Sequence, residues 1–186
     1  MKHLQRFIAL CILVMLIIPS VSNADWEPTN GPYGGFITAL EGSGTHLYAG
    51  TLTDGIYRSA DNGASWTAVN NGLTNTNIIA LCAFGTDLFA GTSSGGVFLS
   101  TDSGENWTVV NTGLTSNNIK SLAVLDTFIF AGTNLGIFRT SNNGDNWTEV
   151  NTGLTNNFVY DLCVLDTMLF AGTSGGVFRT SDNGDN

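Results

Sequence analysis

Two carboxylates break an otherwise regular pattern in this chain. Asp161 stands where equivalent positions hold Ala39, Ala80 and Ser121. Asp54 lies in a loop whose counterparts carry small or apolar residues. A facing pair of carboxylates is the minimal equipment for glycoside hydrolysis, one acting as acid and the other as nucleophile or base. Lys120 and Tyr160 share a second variable position, filled elsewhere by Thr38 and Ile79. Together the four residues would make a polar pocket; ordinary solvated variation at strand starts is the competing explanation. Other chemistry is sparse. His46 is the only histidine beyond the N-terminal segment, and its equivalents Asp87, Phe128 and Met168 suggest an exposed position. No Ser/His/Asp set can be assembled around any other histidine. No His/Cys cluster has metal-ligand spacing, and no Gly-rich phosphate loop opens a helix. No cofactor and no metal are therefore expected.

The elements that must position these residues come from internal repetition. Ala49-Gly50-Thr51 returns as Ala90-Gly91-Thr92, Ala131-Gly132-Thr133 and Ala171-Gly172-Thr173, at steps of 41, 41 and 40 residues. Asn70-Asn71-Gly72-Leu73-Thr74 returns as Asn111-Thr112-Gly113-Leu114-Thr115 and Asn151-Thr152-Gly153-Leu154-Thr155. Each copy holds four short apolar runs bounded by turn residues. In the second copy these are Asn77 to Phe84, Asp87 to Thr92, Gly96 to Ser100 and Asn106 to Asn111, with Leu88 and Ala90 on one face and Phe89 on the other. Four strands in about forty residues is the size of one propeller blade. A lone blade leaves both faces bare, and stacking blades around an axis covers them. The expected fold is all-β, a β-propeller of four-stranded antiparallel blades. The expected blades are about 36–70, 77–111, 118–151 and an incomplete 158–186. A β-sandwich or a solenoid is the alternative architecture.

The turn between the third and fourth strands has a fixed grammar. It reads Ser59-x-Asp61-x-Gly63-x-x-Trp66, then Ser100-x-Asp102-x-Gly104-x-x-Trp107, then Thr140-x-Asn142-x-Gly144-x-x-Trp147. A fourth copy starts with Thr180, Asp182 and Gly184. The carboxylate can accept backbone N–H groups further round the turn. Gly permits a backbone angle that other residues resist, and Trp anchors the returning strand with an indole N–H to spare. The box staples a hairpin. Asn142 can accept the same bonds without charge. Asp182-Asn183-Gly184-Asp185 looks like the start of a cation loop, but the remaining ligands are missing, so the structural role is preferred. Asn106-Trp107-Thr108 and Asn146-Trp147-Thr148 match a glycosylation sequon that the turn chemistry already explains.

This grammar resembles the BNR/Asp-box family, and the likeness covers nearly all of residues 25–186. The resemblance implies a propeller fold. It leaves function open, because similar propellers include sialidases, xyloglucanase-like hydrolases, sortilin-like receptors and photosystem II stability factor-like proteins. The sialidase variant needs three arginines converging on a carboxylate. Arg58, Arg139 and Arg179 all occupy one repeat position, so they should radiate and pair with nearby acids.

The N-terminus reads as an export signal. Lys2 and Arg6 precede a twelve-residue apolar run, Phe7 to Ile18, and Ser22-Asn23-Ala24 offers a cleavage site, so residues 1–24 are expected to be removed. Bulky Leu10 before Cys11 argues against lipid attachment. The remaining chain carries four cationic residues against 15 acids, a net charge of −11. Such a surface repels phosphate backbones and anionic lipid, so neither nucleic acid nor inserted membrane is an expected partner. Cys82 and Cys163 occupy one position two repeats apart and are expected as buried free thiols.

Trp26 aligns with the box tryptophans, so residues 25–29 are expected as a lone outer strand. Either that strand completes the blade of 158–186 in a closed ring of four, or the chain is the front of a longer propeller; the break inside the last box favours the second. The functional expectation is an exported, non-enzymatic module binding a protein or a glycan, with a glycoside hydrolase as the alternative.

Overall fold

The computed structural model describes residues 26–32 and 35–185. The proposed leader, with Cys11, and Asp25 lie outside the described residues. Fifteen strands form four sheets among them. The first holds β1 (Ile37–Ser43), β2 (His46–Thr51), β3 (Ile56–Ser59) and β4 (Thr67–Ala68). The second holds β5 (Ile78–Phe84), β6 (Asp87–Thr92), β7 (Val97–Ser100) and β8 (Thr108–Val109). The third holds β9 (Ile119–Leu125), β10 (Phe128–Thr133), β11 (Gly136–Thr140) and β12 (Thr148–Glu149). The fourth holds β13 (Val159–Leu165), β14 (Met168–Thr173) and β15 (Gly176–Thr180). Each sheet is an antiparallel meander in chain order.

The first strands pack side by side, β1 on β5, β5 on β9 and β9 on β13. This is the radial order of a β-propeller, with the sheets as blades and these strands innermost. The core is three seams between blades, and strand alternation builds each seam. Leu88 and Ala90 of β6 join Tyr48, Ile56 and Trp107 in the seam between the first two blades. Phe89, pointing the other way, joins Ile119, Ile129 and Trp147 in the next. Phe130, Leu162, Leu169 and Ala171 form the third. The repeated Ala-Gly-Thr is explained by these seams. A Cβ on Gly50 would lie 2.5 Å from Ile78 Cγ2, and one on Gly91 would lie 2.5 Å from Ile119 Cγ2. Only glycine lets neighbouring blades approach so closely.

Several expectations need correction. The fourth strands are two residues long rather than six. Part of their pairing passes to a side chain: the Val97 amide donates to Asn111 Oδ1 at 2.8 Å, and the Ile56 and Ile137 amides donate likewise to Asn70 and Asn151. Residues 26–29 form no strand among the described residues; they run past Asn62 and Gly63 of the first box. Cys82 is buried, and burial pushes its thiol up to about 12, but Cys163 is exposed, on a face of β13 that no other blade covers among the described residues. Both are free thiols. His46 is half-buried beside the Tyr48 ring rather than exposed.

Candidate functional site

The Asp boxes close locally. In the first, Asp61 Oδ1 accepts the Ser65 amide at 2.8 Å and the Ser59 hydroxyl at 2.8 Å, while Oδ2 accepts the Ser65 hydroxyl at 2.6 Å. Ser59 Oγ in turn accepts the Gly63 amide. Those donors hold the Asp61 carboxyl down at about 2, with the Ser65 hydroxyl the largest cause. Asp102 is lowered in the same way by Asn106 and Ser100. Asn142 Oδ1 accepts the Asn146 amide at 3.1 Å and the Thr140 hydroxyl at 2.8 Å, so the uncharged box keeps the geometry. Asp182 accepts the Thr180 hydroxyl, and the Gly184 amide reaches Thr180 Oγ1 at 3.2 Å. The residue before each glycine also takes a positive φ: Asn62, Ser103, Asn143 and Asn183 lie between 55° and 59°. These donors to the Asp or Asn side chain all come from the same turn, as the reading of the box as a hairpin staple requires.

Their long side chains act between blades. Trp107 Nε1 donates to Val69 O at 2.8 Å and Trp147 Nε1 to Val110 O at 2.7 Å, each across a seam. Trp66 Nε1 is buried and has no partner among the described residues. Arg58 meets Glu105 at 2.8 Å and Arg139 meets Asp185 at 2.8 Å, each also donating to a carbonyl of the next box. Arg58 and Arg139 thus each meet an acid in the next blade's box turn, while Arg179 is exposed.

Three of the four variable residues, Lys120, Tyr160 and Asp161, lie at a different feature. Where the first strand of each blade pairs with the second, the register slips by one residue. The residues skipped are Thr38, Ile79, Lys120 and Tyr160. These are β-bulges, which re-aim a side chain and interrupt the ladder. Sequence comparison saw the variation but not the bulge that causes it.

At the third and fourth bulges the side chains converge. Phe158 and Tyr160 lie with ring centroids 4.9 Å apart, and Lys120 Nζ stands 5.9 Å from the Phe158 ring centre. Both rings are exposed. Buried Ser121 donates its hydroxyl to Asp161 Oδ1 at 2.8 Å and accepts the Leu162 amide at 3.1 Å. Asp161 Oδ1 also accepts that amide at 2.9 Å. Phe158 and Ser121 were not singled out from the sequence; their nearness to a bulge was the available signal. Asp54 does not join them. It lies between β2 and β3 of the first blade and accepts the Thr53 hydroxyl at 3.1 Å. The site therefore offers two aromatic faces, an ammonium and a fixed carboxylate, which suit contact with a ligand rather than paired acid–base work.

No protein-family model and no curated protein matches the chain. Solved structures do match in fold. The computationally designed Ika4 protein aligns with a TM-score of 0.66 at 18% identity, over 82% of this chain and 94% of its own. An ancestral GH74 enzyme aligns at 0.67 and 24% identity, over 86% of this chain and 24% of its own. YCF48 bound to D1 peptide aligns at 0.63 and 16% identity, over 77% of this chain and 50% of its own. The chain thus spans about a quarter of the GH74 enzyme and half of YCF48. At these identities the likeness speaks for the propeller fold alone.

Proposed function

We propose that the chain is an exported, non-enzymatic propeller module that binds a protein or a glycan at the bulges of its third and fourth blades. The cluster of Phe158, Tyr160 and Lys120 beside the Ser121–Asp161 pair carries this reading. Exposed aromatic faces stack on apolar surface or a sugar ring, while the ammonium and carboxylate set orientation. The acidic surface disfavours nucleic acid as the ligand. Export rests on the leader-like residues 1–24. Binding to a glycan array and to extracellular protein fractions, comparing the chain with Tyr160→Ala, tests the reading. Loss of a captured ligand on removing Tyr160 is expected; unchanged capture would refute it.

The second reading, a glycoside hydrolase, draws on Asp54 and Asp161. They sit on the first and fourth blades, and no described hydrogen bond or ion pair links them. Assay of polysaccharide cleavage with Asp54→Ala and Asp161→Ala separates the two readings. Cleavage that either substitution abolishes would overturn the binding-module reading.

A further inference from the structure

We infer that Asn71 is a site of spontaneous covalent modification, at which the Gly72 nitrogen displaces the side-chain amide, and that the change loosens the seam between the first two blades. The chain holds five Asn-Gly pairs, beginning at Asn30, Asn62, Asn71, Asn143 and Asn183. Glycine sets no side chain beside its own nitrogen, which leaves such a pair free to cyclise. The Gly nitrogen attacks Cγ of the Asn and loses its proton. A new C–N bond forms as the Cγ–Nδ2 bond breaks, and ammonia carries the proton away. Water then opens the cyclic imide. Cleavage of the new bond leaves aspartate; cleavage of the original peptide bond leaves isoaspartate, with the backbone routed through the side chain. Water is the only co-reactant, and a neutral amide becomes a charged carboxylate.

Three of the pairs lie in Asp boxes, and the box guards them. The Gly63 amide donates to Ser59 Oγ at 2.8 Å, the Gly144 amide to Thr140 Oγ1 at 3.0 Å and the Gly184 amide to Thr180 Oγ1 at 3.2 Å. A nitrogen whose N–H is held on a hydroxyl of the same turn is not free to swing onto the preceding side chain.

The pair at Asn71 has no such guard. The Leu73 amide donates to Asn70 O at 3.0 Å and closes a turn with Asn71 and Gly72 at its tip. Asn71 O accepts the Trp107 amide of the next blade at 2.9 Å. C=O and N–H point in opposite directions across a planar trans peptide, so the Gly72 N–H points away from the seam. Among the described residues no hydrogen bond engages that N–H, and both residues of the pair are exposed. The other copies carry Thr112 and Thr152 at this position, so the reactive side chain belongs to the first seam alone.

The seam registers the change through Asn106. Asn71 Nδ2 donates to Asn106 Oδ1, and Asn106 Nδ2 donates in turn to Asp102 Oδ2 at 2.8 Å. A carboxylate at position 71 has no proton to give to Asn106 Oδ1. If Asn106 turned its amide round to serve that carboxylate, its oxygen would face Asp102 instead. Either way two acceptors oppose each other. Isoaspartate also lengthens the backbone where the fit is closest, since a Cβ on Gly72 would already lie 2.1 Å from Trp107 O. Trp107 is part of the core of this seam, so the modification acts as a one-way release of the first blade from the second.

Peptide mass spectrometry on the purified protein, aged in warm, mildly alkaline buffer, tests the proposal. Asn30, outside every box and strand, reports the rate of an unguarded pair. Asn71 should convert to a mixture of aspartate and isoaspartate while Asn62 and Asn143 keep their amides. In denaturant the four should convert alike, because the guard is the folded box. Tm of the aged protein should fall in step with conversion at Asn71. The Asn71→Thr chain, which takes the residue of the other copies, should age without that fall. Asn71 intact once Asn30 has converted, box pairs converting at the pace of Asn71, or an equal fall in the aged Asn71→Thr chain would overturn the proposal.

Discussion

The middle of the row of blades and its two ends contain the same residues in different circumstances. Ile78 and Ile37 share a repeat position, yet one lies inside a seam and the other on an open face. Trp107 and Trp147 spend their indole N–H on a neighbour's carbonyl, while Trp66 meets none among the described residues. Gly72 lies under the next blade's backbone, and Gly153 lies in open space. The comparison shows that a repeat does not carry its own stability. Each blade supplies half of a seam, and the neighbour decides what that half is worth.

Substitution at matched positions is the sharpest way to break the comparison. Ile78→Ala should cost about 2–5 kcal/mol, the range for truncating a fully buried aliphatic side chain. Ile37→Ala should cost below about 1 kcal/mol, as exposed substitutions do. Equal effects in denaturant titration would mean that the ends are as covered as the middle.

Glycine gives the next largest contrast. Gly72 has φ +87°, and a Cβ there would lie 2.1 Å from Trp107 O. Gly153 has φ +81° with nothing within 4 Å of such a Cβ. Gly153→Ala should cost about 1–2 kcal/mol for the left-handed backbone alone. Gly72→Ala adds the clash and should cost more by a margin visible as a lower Tm. Trp107→Phe should cost about 1 kcal/mol more than Trp66→Phe, because only Trp107 gives up a seam-crossing hydrogen bond.

What could be read from sequence divides along the same line. Asp61 reaches Ser59 and Ser65, all within one turn, so residue types at fixed spacing were enough to see the staple. The seam contacts join residues far apart in the chain, from Trp147 with Val110 at 37 positions to Tyr48 with Ser103 at 55. The repeat period implied that blades would touch but not which atoms meet. Cys163 shows the limit: repetition placed it with buried Cys82, and only its position at the end of the row exposes it. The bulges were invisible because a one-residue slip leaves no mark in a pattern of small and apolar residues. They surfaced only as unexplained variation at Lys120 and Tyr160.

The smallest predicted effect separates charged from uncharged boxes. The folded-state pKa of Asp61 is depressed, so its contribution is present above the ordinary carboxylate range and is lost as pH falls toward about 2. Asn142 does not titrate. Amide exchange at Ser65 should therefore accelerate, after correction for intrinsic rates, between pH 5 and 2, while exchange at Asn146 stays level. Parallel behaviour at the two sites would show that charge adds nothing to the staple.

Native-state hydrogen exchange tests the dependence of each blade on its neighbours most directly. Amides of β6 and β10, covered on both sides, should open only with global unfolding, and those of β14 at lower free energy. Equal protection at corresponding amides in all four blades would contradict the account.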